Sequence, residues 1–238
     1  MNYALIFAGG TGARMNTKTR PKQFLEVYGK DIIIYTLEHY ENHKDIDGII
    51  VVCLKEWIEY LKKIIKKNGL EKIKWIVEGG ETGQESIYNG IHKLMQEVPE
   101  DSTVLVHDGV RPIIDEDLIT RNIKSVKEHG SGITVVPAVE TIVLENDGNC
   151  VTDIYERSKC KMAKAPQCFI LKDVYDAHQK AIKEGKKNFI DTASIMHHYG
   201  YKLITVEGNS ENIKITNPVD YYLLKAILDA KENSQIFG

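Results

Sequence analysis

Tyr3-Ala4-Leu5-Ile6-Phe7-Ala8-Gly9-Gly10-Thr11-Gly12-Ala13-Arg14-Met15 decides how this chain is read. An apolar run, Tyr3 to Phe7, has the character of a short buried strand and leads straight into a loop of small residues. Small residues let backbone N–H groups approach phosphate oxygens, and such a loop can form an anion-binding nest. Arg14 adds a planar guanidinium, and Lys22, in Arg20-Pro21-Lys22-Gln23-Phe24, adds a mobile ammonium. Two readings stand side by side: a nucleotide phosphate site, or an ordinary strand-to-helix turn. Neither of two familiar phosphate loops fits. A P-loop needs Lys-Ser/Thr after its glycines, and none follows here. A dinucleotide fingerprint needs a third glycine where this chain has Met15.

The chain has 238 residues, 42% hydrophobic and 27% charged, with a formal net charge of −3. That is ordinary for a globular protein with a substantial core. The bulk charge points to neither nucleic acid nor an anionic membrane as partner. Cys53, Cys150, Cys160 and Cys168 form no Cys-x-x-Cys pair, so a structural zinc is not expected. With no basic leader before an apolar stretch, the expectation is a cytoplasmic protein with reduced thiols.

Strand-like and helix-like runs alternate outward from the opening stretch. Strands are expected at Tyr3–Ala8, Gly48–Cys53, Lys74–Val77, Thr103–His107 and Ile133–Pro137. Helices are expected at Ile32–Asn42, Glu56–Lys67, Glu85–Met95 and Glu116–His129, the last closed by Gly130. This rhythm implies right-handed crossovers and a mostly parallel sheet with helices on both faces. It breaks between Val139 and Phe169, where Asn146-Asp147-Gly148-Asn149 separates two apolar runs and signals a hairpin. That hairpin reads either as an arm toward a partner or as a local flap. Helices resume at Lys172–Glu184 and at Asp191–Tyr199, with Asp191 as N-cap. A strand is expected at Lys202–Glu207, then Asn212-Ile213-Lys214-Ile215-Thr216, and Pro218 opens the final helix. With no repeat or linker, 1–238 reads as a single domain with an arm at about 139–160.

Ligands of parallel sheets bind beyond the C-terminal strand ends. That edge collects Gly9 to Arg14, Gly79 to Glu81, Asp108, Arg111, Thr141 and Lys214. Asp108 is open to two readings, a Mg²⁺ ligand or a loop and cap acceptor. His107 is either a base or, more simply, a buried and satisfied side chain.

The motifs carry a resemblance. Ala8 to Met15, Pro21-Lys22-Gln23-Phe24, Gly79-Gly80, Ser86, His107-Asp108-Gly109-Val110-Arg111-Pro112, Thr141, Arg157, Pro166-Gln167 and Asn212 to Thr216 occur in the order and approximate spacing of one family. The chain resembles the cytidylyltransferases that act on polyol phosphates, a family that includes enzymes for ribitol 5-phosphate and for 2-C-methyl-D-erythritol 4-phosphate. The resemblance implies a Rossmann-like α/β nucleotidyltransferase that moves CMP from CTP to a polyol phosphate and releases pyrophosphate. It implies Mg²⁺ or another divalent cation, and a homodimer joined through the 139–160 arm. Arg14, Lys22 and Lys214 match the catalytic cations around the α-phosphate. Ala8, Gly9, Gly10, Thr11, Gly12, Gly80, Glu81 and Ser86 match the nucleotide-binding positions. Asp108 matches the metal ligand. Arg111, Thr141 and Arg157 match the acceptor-binding positions, with Thr141 and Arg157 expected from the neighbouring subunit.

Three positions depart from the family pattern. Gly83 stands where an Arg is common, Ala165 where a Thr often precedes Pro-Gln, and Ile190 where a Thr often precedes Asp. Gly10-Thr11-Gly12, Trp57, Val110 and Glu140-Thr141-Ile142-Val143 lean toward the ribitol-phosphate branch, which makes CDP-ribitol for teichoic acid or capsule. The methylerythritol branch, in isoprenoid precursor synthesis, is the alternative. Two readings from other classes are a non-catalytic nucleotide-binding regulator and a nicotinamide-dependent oxidoreductase. The four charged residues Arg14, Lys22, Asp108 and Lys214 argue against the first, and the missing third glycine against the second.

Overall fold

A computed structural model gives the architecture and describes residues 1–10, 15 and 20–237. In chain order the elements are β1 (Asn2–Ala8), the ribbon of β2 (Glu26–Val27) and β3 (Lys30–Asp31), α1 (Ile32–Asn42), β4 (Gly48–Cys53), α2 (Ile58–Lys67), β5 (Ile73–Glu78) and α3 (Gly83–Glu97). There follow β6 (Thr103–Asp108), α4 (Glu116–His129), β7 (Ser131–Pro137), the ribbon of β8 (Val143–Glu145) and β9 (Val151–Ile154), β10 (Lys161–Ile170), α5 (Leu171–Lys183), α6 (Thr192–His198), β11 (Thr205–Glu207) and α7 (Pro218–Phe237). Seven strands make one sheet in the order β11-β7-β10-β6-β1-β4-β5. β1 runs parallel to β4 and β6, β4 to β5, and β7 to β11. The mostly parallel sheet expected from the alternating rhythm is therefore observed.

The apolar strands are buried on both faces. Successive side chains of a strand point to opposite sides. On β1, Ala4, Ile6 and Ala8 join Ile49, Val51 and Cys53 of β4 beneath α1, α2 and α4. Tyr3 and Leu5 join Ile50 and Val52 beneath α3, α5 and α6. α7 covers a third cluster, in which Leu224 packs with Val110, Ile113 and Ile215. Helix boundaries follow their caps. The Thr82 hydroxyl accepts from Glu85 N at 3.1 Å, so α3 starts at Gly83, ahead of the expected Glu85. Asp115 caps α4 through Leu118 N at 2.6 Å, and Gly130 ends that helix at φ 84°. Asp191 caps α6 through Ser194 N at 2.9 Å, as expected.

Other elements also differ from the sequence reading: the β2–β3 ribbon was not expected, and the strand expected at Lys202–Glu207 covers only Thr205–Glu207. The helix expected from Glu56 begins instead as a 3-10 turn, Lys55–Trp57, whose Trp57 ring stacks on Phe24 with centroids 4.9 Å apart. β10 was not expected as a strand. It lies in the middle of the sheet, antiparallel to β6 and β7. Pro166 hides it, because a proline inside an apolar run argues against a central strand. The ladder with β7 shifts register between Ala163 and Gln167, and Pro166 falls in that interruption, where it displaces no ladder bond.

The hairpin after β7 has the expected form. β8 and β9 pair antiparallel with Val143 opposite Ile154, and the Asn146 side chain accepts from Gly148 N at 3.0 Å in the turn. Both strands are exposed along their whole length.

The contact between α3 and the sheet is testable. A Cβ on Gly90 would lie 2.8 Å from both Leu5 Cδ1 and Val52 Cγ2. Gly90→Val is expected to cost about 1–3 kcal/mol by overpacking, read as a lower urea midpoint. An unchanged midpoint would show that the helix can step back freely.

Candidate functional site

A cleft of about 530 Å³ opens at the C-terminal end of the parallel strands. Phe7 of β1, Asp108 of β6, the first turn of α3, the Ala163–Ala165 stretch of β10 and Lys214 all line it. Its charged centre is Asp108. One carboxylate oxygen accepts from Lys214 Nζ at 2.7 Å and the other from Arg111 Nε at 2.8 Å. A tight turn delivers Arg111, whose N–H donates to the Asp108 carbonyl at 3.1 Å. The 208–217 loop delivers Lys214, pinned where Ile215 N donates to Val110 O at 2.9 Å. Asn212 adds two ties: its carbonyl accepts from Arg111 Nη1 at 2.9 Å, and its amide donates to Ala165 O at 2.6 Å.

Burial alone would push the Asp108 carboxyl up. The opposing charges of Lys214 and Arg111 outweigh burial and hold it well below the ordinary carboxylate range. Asp108 is therefore ionised throughout the physiological range. His107 resolves as the structural alternative. Burial lowers its pKa to about 4, and Nε2–H donates to Arg111 O at 3.1 Å, so it shapes the Arg111 turn.

The nucleotide-side residues form an adjoining group. The Gln23 side chain is buried and donates to Ala8 O at 2.7 Å and Gly10 O at 3.2 Å, which fixes the start of the Gly-rich loop. Lys22 opens the 3-10 turn Lys22–Phe24, anchored by the Phe24–Trp57 stack. A Cβ on Gly9 would sit 2.9 Å from the Phe7 ring and 3.2 Å from Ser86 Oγ. Ser86 Oγ accepts from Gly80 N at 2.9 Å and donates to Thr82 O at 2.8 Å. Glu81 N donates to Glu85 Oε2 at 2.9 Å. Thr11, Gly12 and Arg14 lie outside the described residues.

The acceptor-side residues divide. Arg111 lines the cleft; Thr141 and Arg157 do not. Both lie exposed on the 139–160 arm, where Arg157 Nη1 donates to Val139 O at 3.3 Å. Within one chain they do not join Asp108. At two of the departures from the family pattern, the cleft wall is a bare backbone at Gly83 and a methyl at Ala165. Ile190, the third, also lines the cleft. Sequence reasoning assigned no role to Gln23, Asn212 or Gln167. Gln167 joins β10 to the start of α6 by donating to Asp191 Oδ2 at 2.7 Å and accepting from Ala193 N at 2.9 Å. The available signal was a neutral amide inside an otherwise apolar or structured stretch.

Comparison with known proteins follows this geometry. The sequence model of the family described as 2-C-methyl-D-erythritol 4-phosphate cytidylyltransferase matches residues 3–230. The chain belongs to this cytidylyltransferase family. A ribitol-5-phosphate cytidylyltransferase of Vibrio parahaemolyticus is 52% identical over 238 residues, covering 100% of both chains. A 2-C-methyl-D-erythritol 4-phosphate cytidylyltransferase of Clostridium botulinum is 35% identical, covering 96% of this chain and 97% of the other. Among solved structures, a 4-diphosphocytidyl-2C-methyl-D-erythritol synthase from Anaerococcus prevotii superposes with a TM-score of 0.82 at 27% identity, covering 96% of each chain. The cytidylyltransferase fold expected from the motifs is thus shared along nearly the whole chain.

Asp108 gives a pH-dependent prediction. Its lowered pKa means that its stabilising contribution is complete above the ordinary carboxylate value of about 3.9 and is lost as the pH falls below it. Asp108→Asn is expected to cost about 2 kcal/mol at pH 7, the scale of a hydrogen bond to a charged group. The gap between the urea midpoints of variant and wild type is expected to hold from pH 7 to about 4 and to narrow as the pH falls further. A gap that widens toward acid would contradict the assignment.

Proposed function

We propose that the chain transfers the CMP moiety of CTP to D-ribitol 5-phosphate, giving CDP-ribitol and pyrophosphate. The observation that carries this reading is the 52% full-length identity to a ribitol-5-phosphate cytidylyltransferase, against 35% to one for methylerythritol phosphate. The cleft chemistry supports the reaction type. An oxygen of the acceptor phosphate attacks the α-phosphorus of CTP, and the bond from that phosphorus to the oxygen bridging to the β-phosphate breaks. Pyrophosphate leaves with that oxygen. The nucleophile is largely ionised at neutral pH, because a phosphate monoester has a second pKa near 6. No general base is needed, in keeping with a His107 turned to structural use.

The barrier lies in bringing two polyanions together, so positioning and charge stabilisation carry the catalysis. In this reading Arg14, Lys22 and Lys214 surround the α-phosphate. Ala8, Gly9, Gly10, Thr11 and Gly12 cradle the triphosphate, and Gly80, Glu81 and Ser86 hold the nucleoside end. Arg111 meets the acceptor phosphate. Asp108 fits as the single protein carboxylate of a Mg²⁺ site. It is ionised and lines an open cleft, and Mg²⁺ commonly takes only one or two carboxylates besides phosphate oxygens and water. No cluster of three or more His, Cys, Asp or Glu suited to a metal occurs among the described residues, so the ligand shell would be mostly substrate and water. Bound there, the ion would neutralise phosphate charge.

The remaining acceptor contacts, Thr141 and Arg157, come in this reading from a second copy, docked through the 139–160 arm. Val143, Leu144, Val151, Ile154 and Tyr155 are exposed large apolar side chains on that arm, and a partner would cover them. The enzyme would work in the cytoplasm, feeding teichoic acid or capsule assembly.

Pyrophosphate release from CTP and Mg²⁺, run with ribitol 5-phosphate and methylerythritol 4-phosphate side by side, tests the substrate. Higher kcat/KM with ribitol 5-phosphate is expected; preference for the other acceptor moves the chain to that branch. CTP binding without release points to a regulator. Arg14→Ala, Lys22→Ala and Lys214→Ala are each expected to lower kcat by about 10² or more, as for loss of one preorganised donor. Wild-type turnover in all three would refute the site.

Mixing tests the second copy. Arg157→Ala and Lys22→Ala chains, each weak alone, are expected to regain about a quarter of wild-type activity when co-refolded, because mixed dimers then hold one intact site. No recovery would place Arg157 and Lys22 in the same chain's site.

A further inference from the structure

The cleft carries more positive charge than its own carboxylates balance. Arg111, Lys164, Lys187 and Lys214 line it against Asp108 and Asp191, an excess of two cations. Its histidines add nothing at neutral pH, since burial lowers both His107 and His178 to about 4. Both carboxylates are already committed. Asp108 holds Lys214 and Arg111, while Asp191 accepts from Ser194 and from Gln167. Lys187 sits on an exposed loop. Lys164 is different: it is half-buried, rooted in a strand at the middle of the sheet, and makes no hydrogen bond or ion pair among the described residues.

Lys164 is also held near Arg111 by a specific tie. Asn212 accepts from Arg111 Nη1 at 2.9 Å and donates to the carbonyl of Ala165, the residue after Lys164, at 2.6 Å. Burial, and then the Arg111 charge, lower the Lys164 pKa, so the ammonium lies within reach of the guanidinium's charge. Ala165 offers the cleft only a methyl group. Asp108 is already shared between Arg111 and Lys214, so the further cation at Lys164 leaves this wall short of negative charge until an anion arrives. A phosphate monoester dianion supplies the two charges this wall lacks, with oxygens for both donors.

We infer that Lys164 is a phosphate-binding residue of the acceptor site, supplied by the same chain, which grips the phosphate of the polyol phosphate together with Arg111. This rests on the polyol-phosphate reading above, but not on which polyol is used. It differs from the expected set, in which Arg111 was the sole acceptor-phosphate contact from within the chain.

The test compares Lys164→Gln, which keeps length and polarity, with Lys164→Arg, which keeps charge. With the acceptor that wild type turns over, Lys164→Gln is expected to raise the acceptor KM about ten- to hundredfold, the scale of a lost charge-assisted hydrogen bond. The KM for CTP is expected to stay within about twofold, and Lys164→Arg to recover most of the loss. An unchanged acceptor KM in Lys164→Gln, or an equal rise in the KM for CTP, overturns the inference. If wild type turns over neither polyol phosphate, the enzyme reading fails separately. Calorimetric binding of inorganic phosphate then decides for Lys164: weaker binding in Lys164→Gln than in wild type and Lys164→Arg supports it, and equal binding overturns it.

Discussion

Lys214 and Arg111 reach the Asp108 carboxylate from 106 and 3 residues away in the chain, and each takes one of its oxygens. Arg111 could not be left unpaired without a large penalty, since its side chain is only 10% exposed. The carboxylate stores them in place and remains ionised because they are there. Such a pairing suits a site for polyanions. Phosphate oxygens offer the same charge-assisted acceptors as the carboxylate, so in the proposed reaction Lys214, at 40% exposure, would exchange one for the other. The fold serves this pairing. Parallel strands bring Asp108 to the sheet edge beside the end of β1, and the loop before α7 carries Lys214 across to it.

Three neutral amides hold the surrounding backbone. Gln23 ties the Gly-rich loop, the Asn212 amide donates to β10 while its backbone carbonyl holds Arg111, and Gln167 ties β10 to the start of α6. A side-chain amide donates and accepts without carrying charge, so it can be buried where a Lys or Glu would perturb the cation balance. The loops at this edge have few backbone ladder bonds of their own. The amides supply bonds in their place.

The parallel part of the sheet was legible because its strands are doubly buried and therefore continuously apolar, and because helices with strong periodicity separate them. The bounds of α1, β4 and α4 agree with expectation to the residue. β10 was not legible, since Pro166 carries the signature of a strand breaker and only the register shift on its β7 side makes room for it. In the site, Asp108, Arg111 and Lys214 could be placed together because each follows a strand end or a recognisable motif. Lys164 could not. It lies in the misread strand, and an isolated lysine between Ala163 and Ala165 has the look of an exposed surface residue.

The same contrast separates the proposed phosphate contacts from the proposed acceptor contacts. The residues proposed to handle the phosphates sit on strand ends and short turns that the core fixes, so changing one disturbs packing as well as chemistry. Thr141 and Arg157 flank a two-stranded ribbon with every strand residue exposed, Thr141 just before β8 and Arg157 in the 3-10 turn after β9. An isolated ribbon of this kind is marginal in water and gains its shape from what it packs against. Substitutions there cost the core nothing, and they alter what faces the polyol end of the proposed acceptor. The proposed phosphate contacts therefore rest on the sheet. In the proposed dimer, discrimination between polyols would fall to this arm, whose geometry the second copy would complete.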